Sequence, residues 1–218
     1  MLTEEAKTVA ENQRRRFNEL VDVFDRPQPA AVMARLREIV ASAELRPGAV
    51  VLDVGTGTGV LIPLIHSYRP STVLACDVAE KMLQRVHDKY PGVRIYHTGI
   101  ASLDLASTSV DAIFMNGMYG NIADKPAACG NAARMLRSRG RLVVGHPEGR
   151  AFVDQLRATG DLFIESLPTK AEFEIILEPL GLKVTAYRDE PKLYLMVALK
   201  VGAASVETNQ KHTLEQIE

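Results

Sequence analysis

The chain has 218 residues, of which 46% are hydrophobic and 24% charged, with a formal net charge of −1. That balance suits one sizeable globular domain with room for an appended segment, and near-neutrality leaves no electrostatic footprint for nucleic acid. No apolar run approaches the ~20 residues needed to cross a bilayer, and two cysteines support neither a disulfide framework nor a zinc site.

The N-terminus, MLTEEAKTVAENQRRR, is acidic and polar and lacks the apolar core of a signal peptide. A cytoplasmic location is therefore expected, without membrane insertion or a nucleic-acid partner. Residues 3–25 place Phe17, Leu20, Val21 and Phe24 on one helical face, and Arg26-Pro27-Gln28-Pro29 ends that helix. A second helix runs to about Glu44, with Val32, Met33, Leu36, Ile39, Val40 and Ala43 inward, and closes at the Arg46-Pro47-Gly48 turn. From there strands and helices alternate. Ala49–Val54 is a continuous apolar strand, of the kind buried on both faces. A helix over Val60–His66, a strand over Thr72–Asp77 and a helix over Ala79–Lys89 follow. Val93–His97 and Val110–Asn116 read as strands, Asp124–Arg137 as a helix and Arg141–His146 as the fifth strand. Residues 149–166 are less regular, with one short helix. Ala171–Leu180 is helical, and Lys183–Arg188 with Leu193–Lys200 forms a hairpin around Asp189-Glu190-Pro191. This order predicts an α/β fold with a mostly parallel sheet covered on both faces. Residues 201–218 are polar and aperiodic and are expected to be a disordered tail.

The first strand runs into VVLDVGTGTGV, residues 50–60, with glycines at 55, 57 and 59. Glycine permits positive φ in a strand-to-helix turn and lets a ligand approach the backbone. The following helix N-terminus adds free N–H groups at the switch point of an open sheet. The dinucleotide fingerprint needs Gly or Ala where Val60 stands, and the Lys-Ser/Thr pair of a P-loop is missing. What remains is Asp-x-Gly-x-Gly-x-Gly over 53–59, followed by an acid, Asp77, at the end of the second strand.

In these features the chain resembles the class I S-adenosylmethionine-dependent methyltransferases. VLDVGTGTG (51–59) is similar to the family's first motif and CDVAEKML (76–83) to its second. SVDAIFMN (109–116) resembles the fourth-strand motif, and ARMLRSRGRLVV (133–144) the entry into the fifth strand. The resemblance implies a Rossmann-like, doubly wound seven-stranded sheet with an antiparallel last strand and helices on both faces. It divides the chain into a helical cap (1–46), a methyltransferase domain (47–200) with a substrate-covering insertion (149–166), and the tail. The cofactor would be S-adenosyl-L-methionine, leaving S-adenosyl-L-homocysteine. Asp53 would lie near its amino-acid end, with Gly55, Thr56, Gly57 and Gly59 in the loop beneath. Asp77 would bind the ribose, serve as the N-cap of the next helix, or do both; Val78 and Met82 complete that side. Many relatives carry an acid after the third strand to hold the adenine amino group. Here Thr98-Gly99-Ile100-Ala101-Ser102 stands there, so Ile100 is expected against the ring, with Ala101 beside it. Ser138-Arg139-Gly140 replaces the usual Pro-Gly-Gly, which alters only a turn.

Asn116-Gly117-Met118-Tyr119 resembles the Asn-Pro-Pro-Tyr of enzymes that methylate amino groups, without its prolines. The other reading makes Asn116 a polar strand end beside the methionine moiety, with Tyr119 lining the pocket. His146, ending the fifth strand, can take a proton from a hydroxyl or thiol, or it can bond the Pro147-Glu148 turn. His66, His87, His97 and His212 lack ligand spacing, so no metal is expected. Arg14–Arg16 form a solvated face, or the helix that carries them closes over the cofactor as a lid. Phe152, Leu156, Leu162 and Phe163 suit a cover over a small organic acceptor. The rival readings are methylation of nucleic acid or protein, and a non-catalytic cofactor-binding scaffold.

Overall fold

The computed structural model describes residues 4–160 and 163–201; Leu162 and the segment 202–218, including His212, lie outside the described residues. Helices α1 (Glu4–Glu19), α2 (Val21–Phe24) and α3 (Ala30–Ala41) precede strand β1 (Val50–Val54). Next come α4 (Ile62–His66), β2 (Thr72–Asp77), α5 (Glu80–Lys89), β3 (Arg94–His97) and β4 (Val110–Asn116). The chain continues through α6 (Lys125–Met135), β5 (Leu136–His146), α7 (Gly149–Thr159), α8 (Lys170–Leu177), β6 (Leu182–Glu190) and β7 (Leu193–Lys200). The seven strands are ordered β3-β2-β1-β4-β5-β7-β6, all parallel except β7, which runs antiparallel to both neighbours. The order reverses between β1 and β4, where an open α/β sheet leaves a crevice at its carboxyl edge. Among the described residues no helix is long and apolar enough to cross a membrane.

Strand alternation divides the core cleanly. Leu52, Val54, Ile113, Met115, Leu142 and Val144 face α6 and α8, where Ala128, Cys129 and Phe173 meet them. Val51, Ala75, Ala112, Phe114 and Val143 face Leu36, Ile39, Ile62, Ile65 and Val86 of α3, α4 and α5. Period-2 side-chain direction produces both layers from continuous apolar strands.

Several boundaries differ from the sequence reading, four of them by more than a frayed end. The first helix breaks at Leu20 (φ −93°, ψ 2°), which lets Val21 pack on Ala79 and Met82 while Phe24 meets Phe17 edge-on at 5.9 Å. Within residues 1–46, α3 packs into the sheet's helical layer through Leu36, Ile39 and Val40, and Val21 docks on Ala79 and Met82 beside α5. Strand β5 starts at Leu136, not Arg141: Leu136 pairs with Val110, and the register then shifts so that Arg141 faces Ala112. Residues 149–159 form one continuous helix, stopped by left-handed Gly160, and the hairpin turns at 191–192 because Glu190 still pairs with Leu193.

Helix α3 lies close on β5. A Cβ on Gly145 would sit 2.9–3.1 Å from three side-chain carbons of Ile39. Gly145→Ala is therefore expected to cost ~1–3 kcal/mol by overpacking, about 2–4 °C of thermal midpoint for each kcal/mol in a chain this size. An unchanged midpoint would show that α3 shifts freely.

Candidate active site

The carboxyl ends of β1, β2, β4 and β5 open onto a cavity of about 650 Å³, within the range of small-molecule sites. Its base is the turn after β1. Gly55 and Gly57 adopt positive φ of 59° and 54°, a conformation that disfavours any side chain. A Cβ at Gly55 would collide with Met118 Cγ at 2.7 Å, whereas one at Gly57 would meet only open space. The loop thus exposes bare backbone to the cavity at Gly57 while Met118 presses on Gly55. Gly59 is a correction. It does not line the cavity, and a Cβ there would meet Ile62 and Tyr90 at 2.9 Å, so the third glycine serves the packing of α4 against the end of α5.

Two carboxylates flank this turn. Asp53 is 2% exposed and accepts a hydrogen bond from Thr56 Oγ1 at 2.7 Å, with no ion-pair partner among the described residues. Burial pushes its carboxyl up to about 7; the Thr56 bond opposes this and the neighbouring charge of Asp77 adds to it. Asp77 accepts from Gly57 N–H and Ala79 N–H, each at 2.9 Å. Burial raises its pKa too, against the downward pull of those backbone bonds. The bond to Ala79, two residues on, is an Asx turn, and Ala79 itself occupies the N-cap of α5. A carboxylate has about four acceptor sites, so capacity remains beyond the backbone bonds. Asn116 ends β4 on the cavity wall, and its Oδ1 is buried without a hydrogen-bond partner. A buried acid lacking a cation, an orphaned amide oxygen and spare carboxylate sites all call for a ligand rich in donors.

Val78, Met82, Ile100 and Ala101 line the opposite side. Asn131 Nδ2 donates to the carbonyls of Ile100 at 2.7 Å and Leu103 at 2.8 Å, fixing the turn that follows β3. Above, α1 and α2 contribute Gln13, Phe17, Leu20 and Phe24, and α7 contributes Phe152 and Leu156. Gln13 is the residue that sequence reasoning missed here. Its Nε2 donates to Asn121 O at 2.7 Å and Phe163 O at 3.1 Å, and Asn121 Nδ2 also reaches Phe163 O. One buried amide therefore ties α1 to the loop after β4 and to the chain after α7. The available signal was its helical spacing from Val9, Ala10 and Phe17, which puts a polar side chain on an apolar face.

Tyr119 is a second correction. Gly117, at φ 68°, reverses the chain, and the ring turns into the core, 1% exposed, 5.2 Å from Phe173 and with its hydroxyl 3.6 Å from Cys129 Sγ. It lines no part of the cavity; Met118 does. His146 does line it, and also bonds the following turn: Nδ1 accepts from Glu148 N–H at 3.2 Å. Burial lowers its pKa to about 4, so the ring is neutral at physiological pH.

A family model described as "Methyltransferase domain" matches residues 52–144. Malonyl-[acyl-carrier protein] O-methyltransferase of Methylococcus capsulatus is 31% identical over 194 residues, covering 78% of this chain and 70% of that protein. The chain belongs to the class I S-adenosylmethionine-dependent methyltransferases. The cofactor of this methyltransferase is S-adenosylmethionine, and its donor-rich ammonium, ribose and adenine groups fit the acceptor-lined cavity. An uncharacterised transposon Tn4556 protein of Streptomyces fradiae is 32% identical over 110 residues, but the match spans only 32% of that protein's length. The 1,6-didemethyltoxoflavin-N1-methyltransferase of Burkholderia thailandensis, crystallised with 1,6-didemethyltoxoflavin and S-adenosylhomocysteine bound, shares the fold. Its TM-score is 0.71 at 19% identity, over 93% of this chain and 92% of that one.

Proposed function

We propose that this methyltransferase acts on a small organic acceptor, held beside the cofactor in the same cavity. The observation that carries this reading is the roof: α1, α2 and α7 overhang the carboxyl edge of the sheet and partly enclose one cavity of about 650 Å³. Arg16 is the sole Arg or Lys among the described lining residues, and that argues against a nucleic-acid backbone as the ligand.

In this reading Asp77 accepts from the two ribose hydroxyls. Asp53 and Asn116 face the ammonium. Gly55, Thr56 and Gly57 form the floor, and Val78, Met82, Ile100 and Ala101 enclose the adenine. The bound cofactor supplies an electrophilic methyl group on a sulfonium, so the protein's task is chiefly to align and dehydrate. Gln13 holds α1 down as the lid, and Phe17, Phe24, Phe152 and Leu156 exclude water around the acceptor. His146 closes the acceptor end.

A screen with methyl-labelled S-adenosylmethionine against small organic acceptors, RNA, proteins and acylated carrier protein tests the reading. Label is expected on free small molecules. Transfer only to RNA, or only to an acyl group carried on protein, would replace it; product with no acceptor class would favour the scaffold alternative. His146→Ala is expected to lower turnover on the acceptor found, by about tenfold to 100-fold for a lost bond to a charged partner, while the Kd for S-adenosylhomocysteine stays unchanged. A loss confined to cofactor affinity would move His146 out of the acceptor site.

A further inference from the structure

We propose that His146 donates a hydrogen bond from Nε2–H to the methyl acceptor, and that this acceptor is an apolar ring bearing an acidic hydroxyl that reacts as its anion. The inference rests on the small-acceptor reading and gives it a substrate class. It starts from one bond: Nδ1 of His146 accepts from Glu148 N–H. In a neutral imidazole the nitrogen that accepts is bare, so the proton sits on Nε2. No described residue hydrogen-bonds Nε2, and the ring lines the cavity with Phe152 of α7 tilted against it at 5.6 Å.

A general base would need the opposite tautomer. Taking a proton at Nε2 would leave Nδ1–H facing Glu148 N–H, two donors in contact. The surrounding charges give little compensation. The Glu148 carboxylate is shared between Arg35 of α3, at 3.2 Å, and Lys192 of the β6–β7 turn, at 3.4 Å, and Arg35 Nε also donates to Pro147 O. Tyr194, opposite His146 on β7, is buried and donates its hydroxyl proton to Pro168 O. Burial keeps the imidazole neutral down to about pH 4.

The walls choose the rest of the molecule. Phe24, Phe152 and Leu156 remain 45%, 37% and 39% exposed although they line the cavity. Such an apolar mouth marks a ligand surface. A carboxylate spreads its charge over two oxygens that both want donors, whereas His146 offers a single Nε2–H and Arg16 is paired with Glu19 at 3.4 Å. A phenol or enol meets both conditions, with a flat apolar body and one oxygen for His146. Its proton is lost to water before binding. The oxygen's lone pair then forms the O–C bond to the methyl carbon as the C–S bond breaks, its electrons passing to sulfur. Anion and sulfonium become ether and thioether, and His146 keeps its proton throughout.

Two measurements on the protein saturated with S-adenosylhomocysteine test this. Nitrogen-15 spectra should show His146 as the neutral Nε2–H tautomer from pH 5.5 to 8. The absorbance of bound 4-nitrophenol, titrated with pH, should show ionisation at least about one pH unit below that of the free probe, a tenfold preference for the anion. His146→Phe should abolish the shift, and His146→Gln, which keeps an N–H, should restore part of it. An Nδ1–H tautomer, protonation near pH 6.5, a probe bound neutral, or tighter binding of 4-nitrobenzoate than of the phenol would each overturn the inference. If the phenol fails to bind while another small acceptor is methylated in the screen, the inference falls and the small-acceptor reading stands.

Discussion

Asp77→Ala is expected to weaken binding of S-adenosylhomocysteine by about tenfold to 100-fold, the equivalent of ~1.5–3 kcal/mol for hydrogen bonds to a charged acceptor. Two effects contribute. The ribose hydroxyls lose their acceptor, and Gly57 N–H loses the oxygen that holds it at 2.9 Å. Because Ala79 N–H is released as well, loosening the start of α5, the alanine variant alone does not separate recognition from folding. Asp77→Asn narrows the ambiguity. Its single oxygen keeps one of the two backbone bonds, while its amide nitrogen offers donors to the other N–H and to the ribose hydroxyls. Calorimetric titration should show the asparagine variant losing most of the affinity that alanine loses, with its thermal midpoint between those of the alanine variant and the parent. Parent-like affinity in both variants would remove Asp77 from the sugar site, and the placement of the cofactor along the β1–β2 edge would go with it.

The central strands β1, β2 and β4 were legible because they are apolar on both faces and short. Thr72–Asp77 and Val110–Asn116 run over the predicted bounds, each ending at a polar residue that the sheet then presents to the cleft. The same logic finds the glycine turn. It does not tell which glycine serves the ligand and which serves packing. Gly57 and Gly59 look equivalent in sequence, and the approach of Ile62 and of Tyr90 from the far end of α5 distinguishes them. Tyr119 misleads for a related reason. Its neighbours Asn116 and Met118 do face the cavity, but a single positive-φ glycine at 117 turns the next ring into the core. The roof was the least legible part. Gln13 acts through partners 108 and 150 residues away, a distance no periodicity spans. The break at Leu20 likewise follows from docking on Ala79 and Met82, not from a helix-breaking residue.

Cofactor affinity should also depend on pH through Asp53. Its carboxyl is raised from 3.8 to about 7 in the folded protein without ligand, chiefly by burial. For an acid raised in this way, the folded state holds a proton that the unfolded chain has already released. Its contribution to stability is full below pH 3.8 and is lost as pH rises through about 7. An ammonium placed beside Asp53 reverses the preference, since it needs the carboxylate. Binding below pH 7 must then expel a proton, and affinity for S-adenosylhomocysteine should fall about tenfold for each pH unit below that point. Above it, affinity should level off. Calorimetry in buffers of different ionisation enthalpy should detect about one proton released at pH 6 and almost none at pH 8. Asp53→Asn should bind weakly at pH 8 and show a flat profile down to pH 5.5, with its apo form no longer losing stability across the same interval. The orphaned Oδ1 of Asn116 cannot mimic this behaviour, because an amide does not titrate. A wild-type affinity that stays constant between pH 5.5 and 8 would mean that the ammonium lies elsewhere and that Asp53 is held only by Thr56.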